Sequence, residues 1–243
     1  MIFGITCDMP VGFDLAVIGD QAKEAIGTSY PHFRKQMRSQ ANVLMPKSQE
    51  KPEIQDFSCT LQALQFSAGN KEKPEQIVQF HGDGFTFHRL APYMGMDAYI
   101  EEIHRTWNAF AKIAKPVKIR KVELRTINRF FLPMEGNTFK VGEYFRQPRW
   151  FIDVEGLTHS KFFDNREAYD DTTKNQVSAT LSVEGMDPER GVPVIFDIDT
   201  LNPLARDIPE SWEEMMPIIN SLRELKNRVF YSTLTESCLN LFR

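Results

Sequence analysis

Ile77-Val-Gln-Phe-His-Gly-Asp-Gly-Phe-Thr-Phe87 is two short apolar runs around a Gly82-Asp83-Gly84 centre. Glycine and aspartate supply the positive φ that a tight turn needs, so the stretch reads as a β-hairpin. Beyond it, Asp97 opens a helix in which Ile100, Ile103, Trp107, Phe110 and Ala114 recur at three- and four-residue spacing. That spacing puts them on one stripe, expected to pack on a sheet. A hairpin feeding an amphipathic helix is the signature of an α+β fold with antiparallel strands.

Toward the N-terminus, Phe13 to Ile18 reads as a short strand and Asp20 as the cap of a helix carrying Ala22, Ala25 and Ile26, stopped by Gly27 and Pro31. The segment Ile54 to Phe66 has strand composition. Toward the C-terminus, Pro116 ends the Trp107 helix and Val117 to Phe131 reads as a long strand, followed by a loop at Pro133 to Asn137. A short helical stretch near Phe139 to Phe145 precedes strands near Trp150 to Val154, Val177 to Val183 and Val192 to Ile198. Ser211 to Glu214 fits a capping box before a helix with a Trp212, Met215, Met216, Ile219, Leu222 stripe, which Pro217 kinks or delays. Thr233 to Glu236 fits a second capping box, opening a last helix with Leu239, Leu241 and Phe242.

Val78-Gln-Phe-His-Gly-Asp83 before the Trp107 helix is similar to Val194-Ile-Phe-Asp-Ile-Asp199 before the Trp212 helix. The order strand, helix, three or four strands, helix recurs, as duplication of a small module would leave it. The expected fold is therefore two similar β-α-β(3-4)-α units, residues 1–131 and 132–243, with long helices packed on one sheet face. They form one compact body or two lobes, in a TATA-binding-protein-like or helix-grip-like arrangement.

Net charge is -4 over 243 residues, with no global pull toward nucleic acid or an anionic membrane. The N-terminus lacks a basic n-region and no apolar run approaches the ~20 residues of a membrane span, which places the protein in the cytoplasm. Cys7, Cys59 and Cys238 lie far apart, with no zinc or disulfide spacing; Cys59 and Cys238, among apolar neighbours, read as inert core thiols. No nucleophile elbow, zincin, P-loop or dinucleotide motif is present, so no catalytic residue, metal or cofactor is assigned and a non-enzymatic role is favoured. Across the hairpin, Asp83 is better explained by turn chemistry than by a metal, and His81 and His88, seven apart, have no third or fourth ligand at a recognised spacing. Asp197 and Asp199 are better explained by strand alternation than by magnesium.

A basic cluster stands against the acidic background. Lys115, Lys118, Arg120, Lys121, Arg125 and Arg129 face the single acid Glu123 along the long strand. The bland reading is a solvated strand face paired with acids of neighbouring strands. The functional one is a track for an acidic partner, protein or phosphate-bearing, with nucleic acid less favoured. Arg125 and Asn128, between Leu124 and Ile127, need partners of their own, either a ligand or the protein's backbone.

Leu61-Gln-Ala-Leu-Gln-Phe-Ser67, Val78-Gln-Phe80, Asp83-Gly-Phe85, Arg89-Leu-Ala-Pro-Tyr93, Trp107, Leu124-Arg-Thr-Ile-Asn128, Asn227-Arg-Val-Phe230 and Leu234-Thr-Glu236 together resemble a sporadically distributed family of uncharacterised prokaryotic proteins of about this length. The resemblance implies no activity; sporadic distribution implies an accessory setting such as defence or toxin-antitoxin cargo. Thr126 stands where the family's Arg-Tyr-Ile-Asn string has an aromatic. The expected function is a non-enzymatic binding protein that uses Lys118, Arg120, Lys121, Arg125 and Asn128 on an acidic partner, with homo-oligomerisation left open. The alternative is a sensor or enzyme for a nucleotide-like molecule, with Arg89, Tyr93, Arg125 and Asn128 lining a cleft between the units.

Overall fold

The computed structural model describes residues 1–44, 53–134, 141–146, 161–183, 185, 187, 189–209 and 211–242. The strand expected at Trp150 to Val154 and the later part of the Pro133 to Asn137 loop lie outside them. Mixed helix and antiparallel strand is what forms, in two compact units: Ile2–Arg120 with Ala205–Ile208, and Met1 with Lys121–Leu204 and Pro209–Arg243.

The first unit runs β1 (Ile2–Asp8), α1 (Gly19–Ile26), β2 (His32–Leu44), β3 (Glu53–Gly69), β4 (Pro74–His81), β5 (Gly84–Arg89) and α2 (Ile100–Ala114). Its strands lie in the order β2-β3-β4-β5-β1, every described pair antiparallel. The β4–β5 hairpin forms, with His81 opposite Gly84, but its turn residues Gly82 and Asp83 do not take the positive φ expected of them. Gly84 is required there for a second reason: a β-carbon would stand 2.2 Å from the Ile5 carbonyl oxygen of β1. The stripe of α2 buries Ile103, Thr106, Trp107, Phe110 and Ala114. Phe110 meets Phe80 edge-on at 5.2 Å and Trp107 meets Phe85 edge-on at 5.9 Å.

N-terminal to Ala63, β3 pairs among the described residues only with β2, so Met37–Leu44 and Glu53–Leu61 run as a two-stranded ribbon, set off by a bulge at Gln62. Phe57 is 69% exposed and Cys59 is exposed rather than a core thiol, because no third strand covers this stretch among the described residues.

From the first unit the chain enters β6 (Lys118–Leu132), then forms α3 (Val141–Tyr144), β7 (Phe162–Tyr169), β8 (Gln176–Val183), β9 (Val192–Asn202), β10 (Arg206–Asp207), α4 (Met216–Thr233) and α5 (Glu236–Asn240). The strands of the second unit lie in the order β6-β9-β8-β7, while β10 pairs with Lys118 and Ile119 in the first unit. Phe196 of β9 stacks on Phe230 of α4 at 5.9 Å, and Phe242 meets Phe130 edge-on at 5.0 Å. Gly191, at φ +98°, would bring a β-carbon within 2.2 Å of the Leu132 carbonyl oxygen of β6.

Several local expectations are corrected. Phe13 to Ile18 is a run of turns: Pro10 and Gly12 at φ +78° break extension, and Ala16 donates its amide to the Asp14 carboxylate at 2.8 Å. The N-terminal strand is β1, whose Phe3, Ile5 and Cys7 alternate inward. Asp20 sits inside α1 and pairs with Lys23 at 3.1 Å instead of capping it. Ser211 makes no side-chain cap; a 3-10 turn, Trp212–Glu214, intervenes and Pro217 delays the regular start of α4, as a proline in the first turn does. The last helix is capped by Thr235, which accepts from the Cys238 amide at 3.2 Å, and not by Thr233. Val78–Phe80 lies in β4 and Val194–Phe196 in β9, and β9 pairs with the first strand of its unit as β5 does in the other. That sequence likeness joins strands in different places. No helix among the described residues is long and apolar enough to cross a membrane.

Trp107 and Trp212 are 3% and 8% exposed. Truncation to alanine at either is expected to cost about 3 to 5 kcal/mol in urea unfolding, and a loss under about 1 kcal/mol would contradict this packing.

Candidate functional site

Strand period two sorts the residues of β6. Val122, Leu124, Thr126, Phe130 and Leu132 turn inward, leaving Glu123, Arg125 and Ile127 on the outer face. Arg120 and Lys121 both point outward, a phase slip where the chain passes from one unit to the other.

In the first unit, Lys118 lies 3.8 Å from Asp207 and Arg120 2.6 Å from Asp8. Both acids face solvent, Asp207 at 91% and Asp8 at 36% side-chain exposure. Arg89 is held against Glu75 at 3.1 Å, donates to the Pro92 carbonyl at 3.3 Å and lies over the Tyr99 ring. Tyr93 stacks on that same ring at 6.1 Å. Arg89 and Tyr93 thus share one aromatic support on the segment leading into α2.

In the second unit, Lys121 pairs with Glu123 at 2.5 Å. Arg125 grips Asp197 bidentately, Nε to Oδ1 at 3.0 Å and Nη2 to Oδ2 at 2.6 Å. Asn128 donates to the Phe196 carbonyl at 3.0 Å. Arg125 and Asn128 are three residues apart on one strand, so they point to opposite faces and do not act as one binding pair. The protein's own groups supply both partners that the sequence demanded.

Beside the Arg125–Asp197 pair, Asp199 has a buried Oδ1 with no hydrogen-bond donor among the described residues. Burial first, and the charges of Glu123 and Asp197 after it, push its pKa up to about 6 against the pull of Arg125 and Lys121. This carboxyl can hold a proton near neutrality on the outer sheet face. Spacing alone marked Asp197 and Asp199 as alternation; the cross-strand register that brings Glu123 and Arg125 to them was invisible without the β6–β9 pairing.

The sheet face of the first unit turned away from α2 carries a chain of largely buried polar groups that sequence reading missed, with Gln65 2% and Gln79 9% exposed. Gln36 and Gln79 both donate to Gln65 Oε1, at 2.5 and 2.9 Å, and the Thr86 hydroxyl donates to Gln79 at 3.3 Å. A hydroxyl has one proton, so the Thr86 oxygen accepts from the Nε2 atoms of His81 and His88, at 3.1 and 3.0 Å. Burial lowers both imidazoles, His88 to about 4 with repulsion from His81 adding to it, so both are neutral at pH 7. Among the described residues no three His, Cys, Asp or Glu side chains gather as a metal would need. Cys7 and Cys238 are buried, their thiols pushed up to about 12 and about 11, chiefly by burial.

Also missed were Arg34, Lys35 and Arg38 of β2, all exposed, on a strand with no acid in its thirteen residues. The available signal was that run of bases without acids. No family model, curated protein or solved structure matches the chain.

Two titrations follow. His88 is depressed in the native state, so its contribution is present above pH 6.5 and lost as pH falls toward 4. Stability should drop by about 2 kcal/mol between pH 7 and pH 5, and His88→Asn should flatten that drop in urea melts. Asp199 is raised, so its effect has the opposite sign: native stability is penalised as pH rises through about 6. Asp199→Asn should add up to about 3 kcal/mol at pH 8 and nothing below pH 4, and equal gains at both would refute the burial argument.

Proposed function

We propose that the protein is a non-enzymatic binding protein that engages an acidic partner through the basic start of β6. The supporting observation is the exposure of the Lys118–Asp207 and Arg120–Asp8 pairs. Exposed ion pairs contribute little net stability, so carboxylates or phosphates of a partner can replace Asp207 and Asp8 at small cost. Arg125 differs. Its bidentate hold on Asp197, which is 17% exposed in its side chain, makes it a structural strut that keeps Asp197 compensated on the outer face.

We also infer that the two units descend from one module, with TATA-binding-protein-like connectivity in each. Three features support this. β1 and β6 are each followed by a helix and then by a meander, whose last strand, β5 or β9, returns beside that first strand and leads on to α2 or α4. The outer edge of each meander is its earliest described strand, β2 or β7. Gly84 and Gly191 stand at the same point of that return, where a carbonyl oxygen of the first strand lies 2.2 Å from the place a β-carbon would take.

Replacing Lys118 and Arg120 together by serine should abolish partner recovery in affinity capture read by mass spectrometry, with the melting temperature close to wild type. Capture should also slow as salt rises, because the pairing steers encounter. The same set of proteins recovered by wild type and variant would refute the β6 reading. Arg125→Ala, by contrast, should lose stability, since it strands Asp197.

A further inference from the structure

We propose that the open edge of β2 is a second docking surface, which takes up an extended acidic segment of a partner protein as an added antiparallel strand. Among the described residues β2 pairs only with β3, leaving one row of its backbone groups as a template for strand addition. The inference is independent of the β6 reading and concerns a different strand.

Charge identifies the occupant. β2 holds Arg34, Lys35 and Arg38 and no acid, and the part of β3 that faces them, Phe57 to Gly69, holds no acid either. None of the three bases forms an ion pair with another described residue. A second copy of β2 laid on this edge would set three cations against three, so self-pairing is opposed by the same charges that invite an acidic strand. The bases guard the edge against its own kind and leave it open to the opposite sign.

The alternation gives the segment a pattern. Arg34, Gln36 and Arg38 share one face of β2; Lys35 and Met37 share the other, where Met37 is 52% exposed. Arg34 and Arg38 are about 13 Å apart along the strand. Read N to C in the antiparallel sense, the matching segment has an acid opposite Arg38, an apolar residue opposite Met37, any residue opposite Gln36, then acids opposite Lys35 and Arg34. The ribbon beyond Met37, with Phe57 exposed, extends the apolar row for a longer segment. A two-stranded ribbon is marginal by itself in water, and a third strand along β2 would complete it.

The probe is a fluorescein-labelled, end-capped peptide Thr-Glu-Val-Thr-Glu-Glu-Thr, titrated with the full chain and read by anisotropy, with amide hydrogen exchange of β2 on the complex. Binding is expected, with new protection in β2. Arg34→Gln/Lys35→Gln/Arg38→Gln should weaken it about tenfold or more without moving the melting temperature. Replacing the central threonine of the peptide by proline should abolish it, because strand addition needs backbone donors. Lys118→Ser/Arg120→Ser should bind the peptide as wild type does, which separates failure here from failure of the β6 reading. No binding, equal binding of the proline peptide, no change in the triple variant, or stronger binding of duplex DNA than of the peptide would each overturn the proposal.

Discussion

The contact of Phe80 and Phe85 with Trp107 and Phe110 settles more of the first unit than any other. A strand alternates with period exactly two, and cross-strand register carries one strand's choice of face to its neighbours. Once Phe80 and Phe85 turn toward α2, Phe66, Phe87, Phe3 and Ile5 must follow, and they are all essentially buried. Gln65, Gln79, Thr86, His81 and His88 are thereby sent together to the other side, where they satisfy one another. In the second unit the Phe196–Phe230 stack plays the same part and sends Arg125, Asp197 and Asp199 outward.

Polar groups collected in this way have different costs. Neutral glutamine, threonine and histidine share protons along a chain and leave little unsatisfied. Asp199 is the exception, a carboxyl next to two other acids with one oxygen lacking a donor among the described residues. Its neighbour Asp197 takes the whole fork of Arg125. The outer face of β6 and β9 is thus a network in which one guanidinium serves one carboxylate fully and leaves the next undersupplied.

The elements legible in the sequence were those whose signal is local. The Gly82-Asp83 turn, the α2 stripe and the alternation of β6, β8 and β9 are all written within a few residues. β2 was not legible, because its outer half lies on an exposed ribbon and carries no buried face to leave an apolar imprint. The two-residue β10 has no sequence signature at all; it exists only because Ile119 and Lys118 are there to pair with. For the candidate site, composition found the bases of β6 but could not tell a paired base from an unpaired one. Lys118, Arg120 and Arg125 each meet an acid brought in by tertiary structure, Asp207, Asp8 and Asp197, whereas Lys121 meets Glu123 two residues along its own strand. The three bases of β2 meet none among the described residues.

β10 belongs to the first unit although it is made after all of the second unit's described strands. On the ribosome, the first unit therefore leaves the exit tunnel without its last piece, with the Lys118–Ile119 edge uncovered until residues 205–208 emerge. A gene cut between the units would make the same incomplete product permanently. Neither unit is a contiguous stretch of message, and anyone wishing to express the first alone would need to graft Ala205–Ile208 back onto it by a linker.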